Sequence, residues 1–188
     1  MKKFILASAS PRRKQLLEWA EIDFEIIVAH TEETYPADLS PKDIAIHIAV
    51  KKANAVKKLV NDGRTIIAAD TIVVLDNEII GKPKDREDAI NILSKLNGKT
   101  HRVITGVAIL NQQEQVFADV TEVEFNLLSK KEIEFYIDKY QPYDKAGAYA
   151  IQEWIGVIGI KRISGDFYNV MGLPVSRVVR ALQAKSDF

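Results

Sequence analysis

The chain opens with an apolar run, Phe4-Ile5-Leu6-Ala7, that passes through Ser8-Ala9-Ser10-Pro11-Arg12-Arg13 into an amphipathic stretch, and a β-rich run follows at Phe24 to Val28. A strand near Lys3 to Ala7, a helix near Pro11 to Ala20 and a second strand in that order favour an α/β fold. The first junction also carries chemistry. A strand running into a helix leaves the first-turn amides unpaired and pointing outward, where an anion can accept from them. Ser10 suits the N-cap and Pro11 the first helical position, while Arg12 and Arg13 supply guanidinium forks that match phosphate better than ammonium groups do. These six residues are a candidate anion site, although a capped helix with solvated arginines accounts for them equally well.

Composition narrows the function classes. The 188 residues, 47% of them hydrophobic, can bury one substantial core in a single domain, residues 1–188, with room for two lobes. Lys+Arg and Asp+Glu both total 26, so no net field favours nucleic acid or an anionic membrane, and anion binding must come from local clustering. The absence of cysteine excludes disulfides, thiolate metal sites and a cysteine nucleophile. Met1-Lys2-Lys3-Phe4-Ile5-Leu6 begins like a signal peptide, but Arg12, Arg13 and Lys14 interrupt the apolar run, and a cytoplasmic location is expected. No apolar stretch approaches the roughly 20 residues of a transmembrane helix.

Further along, Ser40-Pro41 repeats the cap-and-proline arrangement and predicts a helix through Val60, with Ile44, Ile48, Ala55 and Leu59 inward and Lys51, Lys52, Lys57 and Lys58 mostly outside the stripe. Asn61-Asp62-Gly63 ends it. Thr65 to Leu75 predicts a long strand returning through Asp76-Asn77 into Glu78-Ile79-Ile80. Asp85 caps a helix carrying Ala89, Ile92, Leu93 and Leu96 up to Gly98. Thr100 to Leu110 and Gln115 to Phe125 predict two strands, and Ser129 with Glu132 a capping box on a helix reaching Tyr140. Tyr143 to Gln152 predicts a loop, Trp154 to Ile163 a strand, residues 165–172 an irregular segment, and Pro174 to Ala184 a last helix.

Asp70 is the sharpest single signal, because an aspartate is a poor strand former and its neighbours, Ile66-Ile67-Ala68-Ala69 and Thr71-Ile72-Val73-Val74, favour burial. It is read as a metal ligand or a general base for water attack, against a bulge residue bonded to nearby amides. Glu33, in a polar loop, supplies a candidate second carboxylate. Lys82, between Gly81 and Pro83, can point a compact charge at a phosphate; Lys52 reads first as part of a solvated lysine face. Gly98-Lys99-Thr100 imitates the end of a P-loop but lacks its upstream glycine and preceding strand. His30, His47 and His101 lack metal-ligand spacing and read as surface or core-edge residues, and there is no G-x-S-x-G elbow.

The motifs Ser8-Ala9-Ser10-Pro11-Arg12-Arg13, Glu33, Lys52-Ala53, Ala69-Asp70-Thr71, Gly81-Lys82-Pro83, Asp144-Lys145-Ala146-Gly147-Ala148-Tyr149, Ile151-Gln152 and Gly172-Leu173-Pro174 together resemble the Maf-type nucleoside triphosphate pyrophosphatases. The resemblance covers nearly the whole chain. It implies an elongated mixed β-sheet flanked by helices, with two lobes around a central cleft, similar to inosine triphosphate pyrophosphatases. It also implies hydrolysis between the α and β phosphates, with a divalent cation such as Mg²⁺ or Mn²⁺. In that reading Asp70 is the proton acceptor and Ser8, Arg12, Arg13, Lys52 and Lys82 hold phosphate. Glu33 and Asp70 associate with metal, and Arg12, Thr71 and Gln152 select the base. The set resembles the subgroup acting on dTTP, UTP and modified pyrimidine nucleotides more than the one acting on 7-methyl-GTP. The nucleoside triphosphate is the expected partner, nucleic acid and membrane are not, and a homodimer is open to the chain. A purine-specific relative and a nucleotide-binding regulator of cell division with incidental hydrolysis are the rival readings.

Overall fold

The computed structural model describes residues 4–60 and 62–184; the expected strand start at Lys3 and helix stop at Asn61 lie outside the described residues. In chain order the elements are β1 (Phe4–Leu6), α1 (Pro11–Trp19), β2 (Phe24–Ile26), α2 (Pro41–Lys57), β3 (Thr65–Leu75), β4 (Glu78–Ile80) and α3 (Arg86–Leu96). They continue with β5 (Thr100–Leu110), β6 (Glu114–Phe125), α4 (Lys130–Tyr140), a 3₁₀ turn (Ala146–Ala148), α5 (Trp154–Gly159), β7 (Ile160–Ser164), α6 (Phe167–Met171) and α7 (Val175–Gln183). Among the described residues seven strands form one sheet in the order β2-β1-β3-β5-β6-β7, with β4 on β3. It is mixed: β1 runs parallel to β2 and β3, whereas β4 is antiparallel to β3 and β7 to β6. Among the described residues no helix is long and apolar enough to cross a membrane.

The chain divides into two compact units, the first made of residues 1–71, 105–119 and 172–188 and the second of residues 72–104 and 120–171. In the first, a cluster of Ile5, Ala7, Ala49, Ala53, Val56, Ile66, Ala68, Ala108 and Leu110 forms the core. Its helix side is built from alanines. Small side chains at Ala45, Ala49 and Ala53 let α2 settle close on the strands, and Gly106 of β5 completes the approach, since a Cβ there would lie 2.3 Å from the Ala45 carbonyl carbon. The buried stripe of α2 is therefore Ile44, Ala45, Ile48, Ala49, Ala53 and Val56. This corrects the expected face: Ala55 is half-buried, and Leu59, past the Lys58 C-cap, is 64% exposed.

In the second unit β3 turns into β4 through Asp76 and Asn77, both left-handed at φ 48° and 68°, the backbone a two-residue hairpin with right-handed strand twist demands. Asp85 caps α3 by accepting from the Asp88 amide at 2.9 Å, and the Ser129–Glu132 capping box forms on α4. Arg86 joins these two helices through a two-pronged bond to Asp138, at 2.6 and 2.9 Å. Two expectations fail here. Trp154–Gly159 is helical, not strand, because Gly156 lets this turn lie directly on the Ile151 carbonyl, where a strand's side-chain composition is overridden by packing. The expected irregular segment contains α6, whose start is fixed by the Asp166 carboxylate accepting from the Tyr168 amide at 2.7 Å.

Candidate functional site

The first unit gathers its polar residues at the carboxyl end of β1 and around the middle of β3. Ser10 caps α1, accepting from the Arg13 amide, and Pro11 occupies the first turn. That geometry separates the two arginines: Arg12 is half-buried, while Arg13 turns inward and is 9% exposed. Its guanidinium donates in three directions, from Nε to the Gly172 carbonyl at 2.8 Å, from Nη1 to Ser8 Oγ at 3.1 Å and from Nη2 to Thr71 Oγ1 at 3.1 Å. Ser8 Oγ also accepts from the Ser10 amide at 3.2 Å, and Thr71 Oγ1 lies 2.9 Å from Thr105 Oγ1. Burial pulls the guanidinium below the ordinary arginine range, and the charge of Asp70 works against that pull. A guanidinium fixed on three neutral acceptors keeps its charge uncancelled and its orientation set.

Asp70 lies on β3 with 7% of its surface exposed. Its Oδ1 accepts from Lys52 Nζ at 2.6 Å, and the same ammonium donates to Glu33 Oε1 at 2.8 Å. The alanine-faced α2 explains the reach: Ala53 is in the core, so its neighbour Lys52 stands at the helix–sheet seam with a side chain only 18% exposed. The solvated-face reading of Lys52 is thereby corrected. A helix charge run says nothing of which member sits beside a buried carboxylate. Ser8, Glu33 and Lys52 all face a cavity of about 250 Å³ whose other wall is Val28 to Thr31. Glu33 and Asp70 are both hard oxygen donors on one small positive charge, which fits a divalent cation. Magnesium is commonly held by one or two carboxylates when phosphate oxygens complete its shell, and Glu33 and Asp70 could supply them.

Lys82 and Gln152 belong to the second unit, both on exposed loops. The Lys82 loop is anchored by the Gly147 amide, which donates to the Gly81 carbonyl at 3.1 Å; Gly147 has φ +74°, a conformation in which a side chain would also press on Val73. His101, expected at the surface or core edge, is instead 1% exposed, so that reading is corrected as well. Sequence reasoning missed the carbonyl of Gly172, which holds Arg13, and Thr105, which pairs with the Thr71 hydroxyl that Arg13 also meets. The available signals were a Thr-Gly interruption in the apolar run of β5 and a glycine ahead of Leu173-Pro174, here at φ +115°.

Fold and site together define a mixed α/β protein whose first unit gathers Arg13, Lys52, Asp70 and Glu33 into a cluster of charged side chains. Among solved structures the fold is shared with the Ham1 protein of Staphylococcus aureus, at TM-score 0.55 and 17% identity over 98% of this chain and 100% of that one. A HAM1 protein from Coxiella burnetii matches at TM-score 0.52 and 14% identity, with the same shares covered. The chain belongs to the Maf-like protein family, whose model matches residues 3–185. Relatives named dTTP/UTP pyrophosphatase include one from Cytophaga hutchinsonii, 52% identical over 95% of this chain and 82% of its own length. Another, from Bacillus cytotoxicus, is 49% identical over 97% and 95%, and one from Bacteroides thetaiotaomicron is 46% identical over 96% and 95%.

Proposed function

We infer that this chain is a dTTP/UTP pyrophosphatase that clears non-standard pyrimidine nucleotides from the cytoplasmic pool, releasing a nucleoside monophosphate and pyrophosphate. The name shared by its relatives supports the substrate class. The observation that carries the chemistry is one ammonium, Lys52, held between Asp70 and Glu33 on the seam beside β3.

In this reading Asp70 takes a proton from the attacking water, whose oxygen replaces the α–β bridging oxygen on phosphorus while that bridging oxygen departs on pyrophosphate. Arg13, already oriented by Ser8, Thr71 and Gly172, offers its remaining N–H donors to the phosphates without reorganising. Lys52 exchanges a carboxylate contact for a phosphate oxygen as substrate enters, which frees Asp70 for the water. Ser8, Arg12 and Lys82 complete the phosphate contacts. Glu33 and Asp70 would hold the Mg²⁺ or Mn²⁺, which would screen phosphate charge and acidify water. Arg12, Thr71 and Gln152 distinguish the base, the Gln152 amide offering a pyrimidine edge both a donor and an acceptor.

Pyrophosphate release from UTP and dTTP with Mg²⁺ or Mn²⁺ tests this. Asp70→Asn keeps the shape of the side chain and removes the base, so turnover should fall by roughly 10²–10⁴-fold with the circular dichroism spectrum unchanged. Unaltered turnover in that variant overturns the role.

A further inference from the structure

Gln152 occupies the third position of a four-residue turn, Ala150-Ile151-Gln152-Glu153, closed by the Glu153 amide donating to the Ala150 carbonyl at 3.1 Å. This turn is gripped from outside at several points. The Tyr136 hydroxyl, on α4, accepts from the Ala150 amide at 3.1 Å and donates to Glu153 Oε2 at 2.5 Å, so one phenol oxygen touches the first and last residues of the turn. Lys145 Nζ stands 3.7 Å from the other carboxylate oxygen, Oε1, and 2.7 Å from Asp144 Oδ1, with its side chain 11% exposed. Behind the turn, the Gly156 amide donates to the Glu153 carbonyl at 2.9 Å, and a Cβ on Gly156 would fall 1.6 Å from the Ile151 carbonyl oxygen.

We propose that Tyr136 and Glu153 are positioning residues for base selection, their hydroxyl–carboxylate bridge holding the turn that presents Gln152. The proposal deepens the reading of Gln152 as a base contact and rests on it. A glutamine amide discriminates between bases only when its donor and acceptor arrive at fixed places; a flexible turn would let it adapt to any edge. Packing alone does not require the hydroxyl. Tyr136 is fully buried and stacks on Tyr140 with centroids 5.0 Å apart, contacts that phenylalanine would reproduce. What phenylalanine cannot do is donate to a carboxylate, and a hydroxyl on a carboxylate oxygen makes a charge-assisted bond.

Tyr136→Phe and Glu153→Gln are compared with wild type and Gln152→Ala for kcat and KM on UTP, dTTP and ITP, with thermal midpoints recorded. The bridge variants should lower kcat/KM for the pyrimidine substrates roughly 10-fold, the equivalent of one lost charge-assisted bond, mainly through KM, while changing ITP less than about 2-fold. In the Gln152→Ala background, Tyr136→Phe should add nothing further to the selectivity loss. Both bridge variants slowing all three nucleotides alike, while Gln152→Ala narrows selectivity, overturns the positioning role and leaves the base reading intact. An unchanged preference in Gln152→Ala overturns the base reading itself and the positioning role with it. Should Tyr136→Phe fold poorly, Glu153→Gln, which keeps every ring contact, decides between these outcomes.

Discussion

Asp70 on β3 and His101 on β5 pose the same physical problem and receive opposite solutions. Each is a buried ionisable side chain on a strand, 7% and 1% exposed, where an isolated charge would be expensive. Around Asp70 the first unit brings charge to charge: Lys52 binds it directly, and Glu33 shares the same ammonium. Around His101 the second unit removes the charge. Burial pushes the imidazole down to about 4, its Nε2 meets the Tyr149 hydroxyl at 2.7 Å, and Phe125 and Tyr149 close edge-on over the ring. The difference separates a cluster of paired charges, the one proposed to hold phosphate and metal, from a neutral pair sealed in the core. Substitutions around Asp70 should cost turnover, with or without stability, and those around His101 stability alone.

The severest test of that division is Arg13→Met. Removing the guanidinium takes a phosphate donor from the proposed site and leaves the buried Gly172 carbonyl and Ser8 hydroxyl short of a partner. Pyrophosphate release should fall roughly 100-fold or more, with a stability loss of about 3 kcal/mol in urea titration. Arg13→Lys should not restore turnover, because one ammonium cannot span acceptors on three sides. A loss of stability with turnover preserved would place Arg13 on the sealed side of the comparison.

Gly106→Ala comes next. Its Cβ would meet the Ala45 carbonyl carbon at 2.3 Å and the Ile46 amide nitrogen at 2.4 Å, both backbone, so α2 must lift from β5. Since α2 carries Lys52, the variant should lose about 3 kcal/mol of stability and also turnover, measured at a temperature where it remains folded. Retained turnover would show that the Lys52–Asp70 pair does not depend on the alanine-lined approach of the helix.

The His101 side of the comparison makes a pH prediction with a definite sign. The folded imidazole titrates near 4 and an unfolded one near its ordinary 6.5, so between those values the unfolded chain binds a proton that the folded chain refuses. Stability is complete above about pH 6.5 and declines as pH falls toward 4. Unfolding free energy should be about 2 kcal/mol lower at pH 5 than at pH 7.5 from this group. In His101→Phe that part of the slope should vanish. If the slope persists unchanged, other groups carry it and the sealed-histidine account fails.

Much of the frame was legible in the sequence because local rules and packing agree there. Ser10-Pro11, Ser40-Pro41, Asp85 and the Ser129–Glu132 box start helices where they were expected, and the Asp76-Asn77 turn falls where the β-rich run demanded. The misreadings occur where a distant contact decides. Trp154–Gly159 has a strand's composition but is bent into a helix by the close seat of Gly156 on Ile151. Lys52 reads as solvated until the core face of α2 is rotated onto Ala49, Ala53 and Val56, which brings it to Asp70. His101 carries no signal of burial, lying between Thr100 and Arg102, and its partner Tyr149 is 48 residues away. Asp70 was legible because a carboxylate in an apolar strand conflicts with its surroundings; its partners were not, because a conflict says that a partner exists without saying where.

The smallest expected effect sharpens the question of what keeps His101 neutral. Burial alone lowers its pKa, and burial also raises that of Tyr149, so the hydroxyl and the imidazole meet as two neutral groups. Tyr149→Phe removes their bond while preserving the ring against Phe125, now 5.0 Å centroid to centroid. It should cost about 1 kcal/mol at pH 7.5, since among the described residues Nδ1 already has no hydrogen-bond partner and the variant strips Nε2 as well. The pH dependence should be nearly unchanged, because the missing bond does not admit water to the ring. Urea titrations of Tyr149→Phe across pH 4.5 to 7.5 decide this: a parallel curve shifted down assigns the neutrality to burial, whereas a flattened curve assigns it to the hydroxyl, and the contrast with Asp70 would then be one of partner chemistry instead of charge removal.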